Sequence, residues 1–279
     1  AANIKHRLSS RGFKEMGKGY YRYHLTPSES LKGQRVLLDF EGIMYTADVL
    51  LNGQRIGGTD YGYVGFDIDI TTNLKYGQDN LIEVIADTRV PGNSRWYTGG
   101  GLYRNVSLVT TPQDIYFNRH PLRITTRDNR YVSITAEFTN RTKAQATRIA
   151  LEILDSDGQT VYSDTVALKR HRMTRHEETP IATDIAISNP RLWDLDTPYL
   201  YRVRARLLRE DGSMADEVSD RFGIRTIEIG PDYGLKLNGR KVLLKGYANH
   251  HTLGALGAAA YPKAIEKRLR LIKDFGMNH

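Results

Sequence analysis

The chain reads as a succession of short apolar runs that stop at turn residues. YYRYHL (Tyr20–Leu25) precedes Pro27, RVLLDF (Arg35–Phe40) is a compact apolar run, and ADVLL (Ala47–Leu51) ends at Asn52-Gly53. Asn-Gly is the strongest short-range hairpin signal, because both central positions of a tight hairpin turn need positive φ. LIEVIAD (Leu81–Asp87) and LYRNVSLV (Leu102–Val109) complete a first series with no long helical period in it. This pattern predicts an all-β sandwich or jelly roll over residues 1–111.

Thr110-Thr111-Pro112 marks a boundary, since proline cannot pair in a central strand. In YVSITAEF (Tyr131–Phe138), Val132, Ile134, Ala136 and Phe138 alternate with Ser133, Thr135 and Glu137, giving one dry and one wet face. IALEILDSDGQTVYS turns at Asp157-Gly158, and YRVRARLLREDG alternates Val203, Ala205 and Leu207 before Asp211-Gly212. About seven short strands at this spacing predict an immunoglobulin-like β-sandwich over residues 112–226, without the usual cysteine pair.

After Gly223 the character changes. LKLNGRKVLLKG is a second Asn-Gly hairpin, at Asn238-Gly239, feeding the apolar strand Val242–Leu244. Tyr261-Pro262 opens the one convincing helix, with proline in its first turn and Gly276 as its C-terminal cap. Ile265, Leu269 and Ile272 fall on one side of it, and Lys267, Arg270 and Lys273 point away. Strand, loop and helix make one β/α unit over residues 227–279, which cannot bury its own faces.

Composition narrows the chemistry. No cysteine is present, which removes disulfides, thiolate metal sites and thiol nucleophiles. The net charge of +8 spreads over 40 basic and 32 acidic residues without a basic block, so nucleic acid is not expected as a partner. No apolar run approaches the roughly 18 residues of a membrane span, so no membrane role is expected. The compartment stays open, with a lean towards periplasmic or secreted. Seventeen tyrosines against seven phenylalanines suit strands and half-wet clefts where sugars stack.

Several segments together resemble the glycoside hydrolase family 2, the β-galactosidase, β-glucuronidase and β-mannosidase group. They are GYYRYHL, FEGIMYTADVLLNGQRIGG, YGYVGFDIDIT, RWYTGGGLYRNVSLV, NPRLWDLDTPYLYRVRARL, FGIRTIEI and LLKGYANHHTLGALG, in the family's order along nearly the whole chain. The resemblance implies a mainly β fold: a jelly-roll sugar-binding domain, an immunoglobulin-like sandwich and the truncated start of a (β/α)8 TIM barrel. It implies a retaining exo-β-glycosidase acting on terminal β-linked sugars, with β-galactosides foremost and glucuronides or mannosides as alternatives. Partners would be carbohydrate and the remainder of the chain's own barrel, with an oligomer open. No cofactor is implied. The two catalytic glutamates would lie on later barrel strands, beyond residue 279, so this chain alone is expected to be inactive.

The candidate contacts follow from the same comparison. In such barrels function sits on loops at the carboxyl ends of strands, where Asn249, His250 and His251 fall. As metal ligands the adjacent histidines are weak, because neighbours on an extended chain point apart; no metal is expected. The resemblance favours a sugar contact for His250 and, less strongly, His251, against a loop histidine held by backbone groups. Arg95, Trp96 and Tyr97, ahead of the run Gly99-Gly100-Gly101, would shape the substrate pocket, with Trp96 as a core residue the competing reading. Arg104 reads as a structural pair. Glu177-Glu178 and Asp194/Asp196 read as solvated turns. A stand-alone carbohydrate-binding or adhesin-like module is the rival function. A terminal amphipathic helix with no sheet to cover argues against it.

Overall fold

The computed structural model describes residues 16–89, 99–141, 147–168, 178–246, 248–250 and 252–279. They form two compact units, one of residues up to Thr110 with Lys245–Met277 and His279, the other of Thr111–Leu244 with Asn278.

The first unit is built on β1 (Lys18–Leu25), β2 (Gln34–Phe40), β3 (Ile43–Met44), β4 (Thr46–Leu51), β5 (Gln54–Thr59), β6 (Phe66–Asp69), β7 (Asn80–Asp87), β8 (Gly101–Leu102) and β9 (Val106–Pro112). One sheet has the order β1-β7-β4-β5, a second β6-β2-β9, and β3 pairs with β8. Strict alternation on β7 buries Ile82, Val84 and Ala86 against Val49 and Leu51 of β4 and Val36, Leu38 and Phe40 of β2. That period of two lets each strand keep a face in the core. At the β4–β5 turn Asn52 and Gly53 take φ of 52° and 82°, the positive pair expected of an Asn-Gly hairpin. LYRNVSLV does not run as one strand. It breaks at Tyr103, whose buried hydroxyl donates to the Gly62 carbonyl at 2.9 Å.

Among the described residues of this unit, the polar Asn80 is fully buried. Asn80 Nδ2 donates to the carbonyls of Leu25, Lys75 and Gln78 at 3.3, 2.9 and 2.9 Å. Its Oδ1 accepts from Asn52 Nδ2 and the Lys75 amide, both at 3.0 Å. Every polar atom of the side chain is thus engaged, as burial requires.

The second unit holds β10 (Ile115–Arg127), β11 (Tyr131–Asn140), β12 (Thr147–Leu154), β13 (Thr160–Leu168), β14 (Glu178–Ala186), β15 (Tyr201–Leu208) and β16 (Met214–Phe222). Sheets β10-β11-β14 and β13-β12-β15-β16 face each other, three strands against four. This order is the immunoglobulin-like sandwich expected from strand spacing. Val132, Ile134, Ala136 and Phe138 from one sheet meet Ile149, Leu151, Ile153, Val203, Ala205 and Leu207 from the other in a single core. Asp216 accepts from the Phe117 amide at 2.9 Å, tying the last strand to the first, and burial pushes its carboxyl above the usual range.

A small sheet of β17 (Ile227–Gly230), β18 (Gly234–Leu237) and β19 (Arg240–Lys241) completes this unit. Its Asn238-Gly239 turn again has two positive φ values, 52° and 77°. Asn238 Nδ2 donates to the Trp193 carbonyl at 3.0 Å, and the Arg225 guanidinium lies 4.6 Å from the centre of the Trp193 ring. A Cβ at Gly223 would come within 2.5 Å of the Trp193 Cβ, so the tryptophan of NPRLW packs directly on backbone. Asp194 is held by Arg240 rather than sitting free in a solvated turn.

Helix α1 (Pro262–Asp274) begins with proline in its first turn, as predicted. It ends with Gly276 at φ 82°, where Gly276 N–H reaches the Lys273 carbonyl and Met277 N–H that of Ile272. That pair of bonds is a Schellman cap. The described residues do not close into a barrel. Neither Ile265 nor Leu269 is covered, and the side turned inward is the row Ala264, Arg268 and Ile272. Among the described residues no helix is long and apolar enough to cross a membrane.

Candidate functional site

The strand expected at Val242–Leu244 is not formed: β19 ends at Lys241 and the segment that follows is irregular, with the Val242 amide donating to the Leu235 carbonyl. It carries Asn249 and His250 outward, both exposed. What positions them is Arg268 on α1. Its Nη1 donates to the His250 carbonyl at 3.1 Å, and its Nη2 to the Thr252 carbonyl. A planar guanidinium can grip two carbonyls two residues apart in this way, whereas an ammonium would act as a single point. The chain beyond α1 returns beside the same segment, with His279 N–H donating to the Lys245 carbonyl at 3.2 Å.

Past Thr252 a tight turn with Gly254 and Gly257 at φ 59° and 63° brings in Ala258, which is buried. Ala258 lies where the triple glycine approaches. A Cβ added to Gly99, whose φ is +79°, would stand 2.2 Å from the Ala258 Cβ. Two residues on, Ala260 N–H donates to the Tyr103 carbonyl at 2.8 Å. The glycine run is therefore needed for close approach and for left-handed backbone.

The two ends of the loop that bears Arg95, Trp96 and Tyr97 are pinned. At one end Thr88 is buried and exchanges two hydrogen bonds with the Gly17 backbone, at 2.9 and 3.0 Å. The Arg89 guanidinium grips Asp87 and holds its carboxyl well below the usual carboxylate range. At the other end a Cβ on Gly100 would meet the Thr88 methyl at 2.7 Å, and one on Gly101 the Tyr21 hydroxyl at 1.8 Å.

Of the residues singled out in the sequence, Asn249 and His250 lie on this unit. Arg95, Trp96, Tyr97 and His251 fall outside the described residues. Arg104 makes no ion pair among the described residues; its guanidinium lies 5.3 Å from the centre of the Tyr103 ring, a cation–π contact. Arg268, Thr88 and Tyr103 were not picked out beforehand. Imidazole and amide groups at Asn249 and His250 can donate to and accept from hydroxyls. They can hold and orient a polyhydroxylated ligand.

The profile described as "Glycosyl hydrolases family 2" matches residues 120–225, and that described as "Glycosyl hydrolase 2 galactose-binding domain-like" matches residues 12–95. A β-galactosidase of Bacteroides ovatus is 30% identical over 94% of this chain, which spans 31% of that protein. A β-glucuronidase of Bacteroides fragilis is 29% identical over 99% of the chain, which spans 41% of it. A solved glycosyl hydrolase family 2 member from Bacteroides cellulosilyticus superposes with a TM-score of 0.88 at 32% identity. That match covers 96% of this chain and 35% of the other. The chain thus spans about a third of the length of the relatives it matches.

Proposed function

Because this chain belongs to glycosyl hydrolase family 2, we propose that it is the N-terminal part of a retaining exo-β-glycosidase acting on terminal β-galactosides. The observation that carries the reading is the contact, inside one compact unit, between the triple glycine and the segment following Asn249 and His250: Gly99 against Ala258, and Tyr103 with Ala260. It supports the reading because Gly99 and Tyr103 of the first sandwich meet the segment that follows Asn249 and His250.

In this account residues 1–111 form the sugar-binding domain, 112–226 a buttressing sandwich, and 227–279 the opening of the barrel. His250 and Asn249 hydrogen-bond the terminal sugar, His251 stands beside them, and Arg95, Trp96 and Tyr97 wall the pocket. Bond cleavage belongs to two glutamates on later barrel strands, about 5–5.5 Å apart. One protonates the glycosidic oxygen while the other attacks the anomeric carbon, and water then releases the sugar from the covalent intermediate. The residues described above bind and orient; they do not cleave. A β-glucuronide is the second reading, supported by a β-glucuronidase relative that matches this chain almost end to end.

The test is a panel of aryl β-D-galactoside, β-D-glucuronide and β-D-mannoside. The longer protein is expected to turn over the galactoside at least about tenfold faster than the others, a pocket difference of about 1.4 kcal/mol. The isolated chain is expected to turn over none. Turnover by the isolated chain, or preference for the glucuronide, would overturn the first reading or replace its substrate.

A further inference from the structure

We propose that the loop holding Tyr61 and Tyr63 is a second carbohydrate-binding surface, a stacking platform for the β-linked oligosaccharide chain attached to the terminal sugar. The inference rests on the glycosidase reading for its ligand class only.

The loop joins β5 to β6 and has the sequence Asp60-Tyr61-Gly62-Tyr63-Val64-Gly65. Tyr61 is 57% exposed and Tyr63 41%. Their rings touch, with centroids 5.7 Å apart and planes tilted by 57°. The core of this unit is filled by other residues, including the stacked pair Phe40 and Phe66. Neither tyrosine belongs to that core, and both expose a large part of their surface. Adjacent exposed aromatics of this kind mark binding sites more often than isolated ones do.

The backbone beneath them is fixed. Thr59 Oγ1 donates to the Tyr61 carbonyl at 3.0 Å and accepts from its amide at 3.2 Å. Between the two exposed rings Gly62 is buried, and its carbonyl accepts from the Tyr103 hydroxyl at 2.9 Å. A Cβ at Gly62 would strike the Met44 sulfur at 2.6 Å and the Ile43 carbonyl at 3.1 Å, so glycine is required there. The loop is anchored at its centre and turns both rings outward. A ligand would find the surface already formed, which removes part of the ordering penalty of binding.

The chemistry suits a sugar. A pyranose in a β-linked chain offers an apolar C–H face edged by hydroxyls, and tyrosine offers a flat face with a polar tip. Burial and the neighbouring phenols of Tyr45, Tyr103 and Tyr61 push the Tyr63 hydroxyl above its ordinary range, so it stays a proton donor at any working pH. Asp60, also exposed, supplies a carboxylate acceptor beside the rings. Among the described residues of this loop the exposed apolar side chains are Tyr61, Tyr63 and Val64, flanked by glycines and an aspartate, a small patch for a protein partner. Continuity supports the link to the terminal-sugar site. Tyr103 grips this loop through its hydroxyl and the Ala258–Tyr261 segment through its carbonyl.

The experiment titrates the isolated chain with β-1,4-galactotetraose and with free galactose, followed by amide chemical shifts. The tetrasaccharide is expected to shift Tyr61–Val64, with free galactose much weaker. Tyr61→Ala/Tyr63→Ala should weaken tetrasaccharide binding by about tenfold, from the loss of two ring contacts. Tyr61→Phe/Tyr63→Phe, which keeps the rings, should stay within about threefold. Gly53→Ala, a turn position with no atom within 4 Å of the added Cβ, should leave this binding unchanged. Shifts that cluster away from the loop, no binding by the wild type, or full binding by the alanine pair would overturn the proposal. Since the isolated chain is not expected to hydrolyse sugar, failure here leaves the glycosidase tests of the longer protein standing, and their failure leaves this binding measurable.

Discussion

Asn80→Ala will cost the first sandwich about 3 kcal/mol, and Asn80→Asp will cost more at neutral pH. The alanine leaves three carbonyls and an amide without the partner that now serves them inside the fold. Each buried group stripped of its hydrogen bond costs about 1–3 kcal/mol, partly recovered where water enters. Aspartate has the right shape but donates nothing when ionised, and it would face three carbonyl oxygens. Its folded pKa must therefore lie above the unfolded value of about 3.9. A carboxyl raised in this way is protonated more readily in the folded chain, so stability falls as pH rises through that interval. Urea midpoints should thus separate the aspartate variant from the wild type widely at pH 7 and less so near pH 4. Wild-type midpoints for both variants would remove Asn80 from this role.

Gly99→Val in the longer protein is expected to lower kcat/KM by about 100-fold, the scale on which a displacement of about 1 Å acts. Two effects combine at this position. Its φ of +79° is strained for a β-branched residue, and its Cβ would overlap that of Ala258, which has no rotamer by which to move aside. Gly99 would be pushed off Ala258, on the segment following His250. Gly53→Ala serves as the control, since φ is +82° there but no atom lies within 4 Å of the added Cβ. It should cost about 1 kcal/mol of stability and leave activity alone. In the pair Gly99→Ala/Ala258→Gly the overlap is gone, and activity should partly return. A Gly99→Val enzyme within about threefold of wild type would show that this contact does not shape the pocket.

Much of the fold was legible because the strands keep a strict period of two. Val132 to Phe138 and Val203 to Leu207 are buried as their alternation implied. Both Asn-Gly pairs turn with positive φ, because few other dipeptides adopt that backbone. What the sequence hid were contacts between distant segments. Asn80 looks like an ordinary turn residue, and only the fold brings Leu25, Asn52 and Lys75 around it. Arg268 was passed over because hydrophobicity assigns the charged residues of an amphipathic helix to solvent. Here its long stem follows the Ala264–Ile272 row inward and its head finds two carbonyls. Ile265 and Leu269, on the side that the β/α unit could not bury by itself, are exposed, Leu269 at 56%. At the candidate site, position along the chain pointed to His250, but nothing local announced that Gly99 and Tyr103 would meet Ala258 and Ala260.

As proposed, this chain supplies the sugar-holding N-terminal part, about a third in length, of a retaining exo-β-glycosidase. The most direct measurement is proton NMR of an aryl β-D-galactoside during hydrolysis by the longer protein, watching which anomer of free galactose forms first. The β-anomer is expected to build up before mutarotation produces the α form. First appearance of the α-anomer, or no release of galactose at all, would contradict the account.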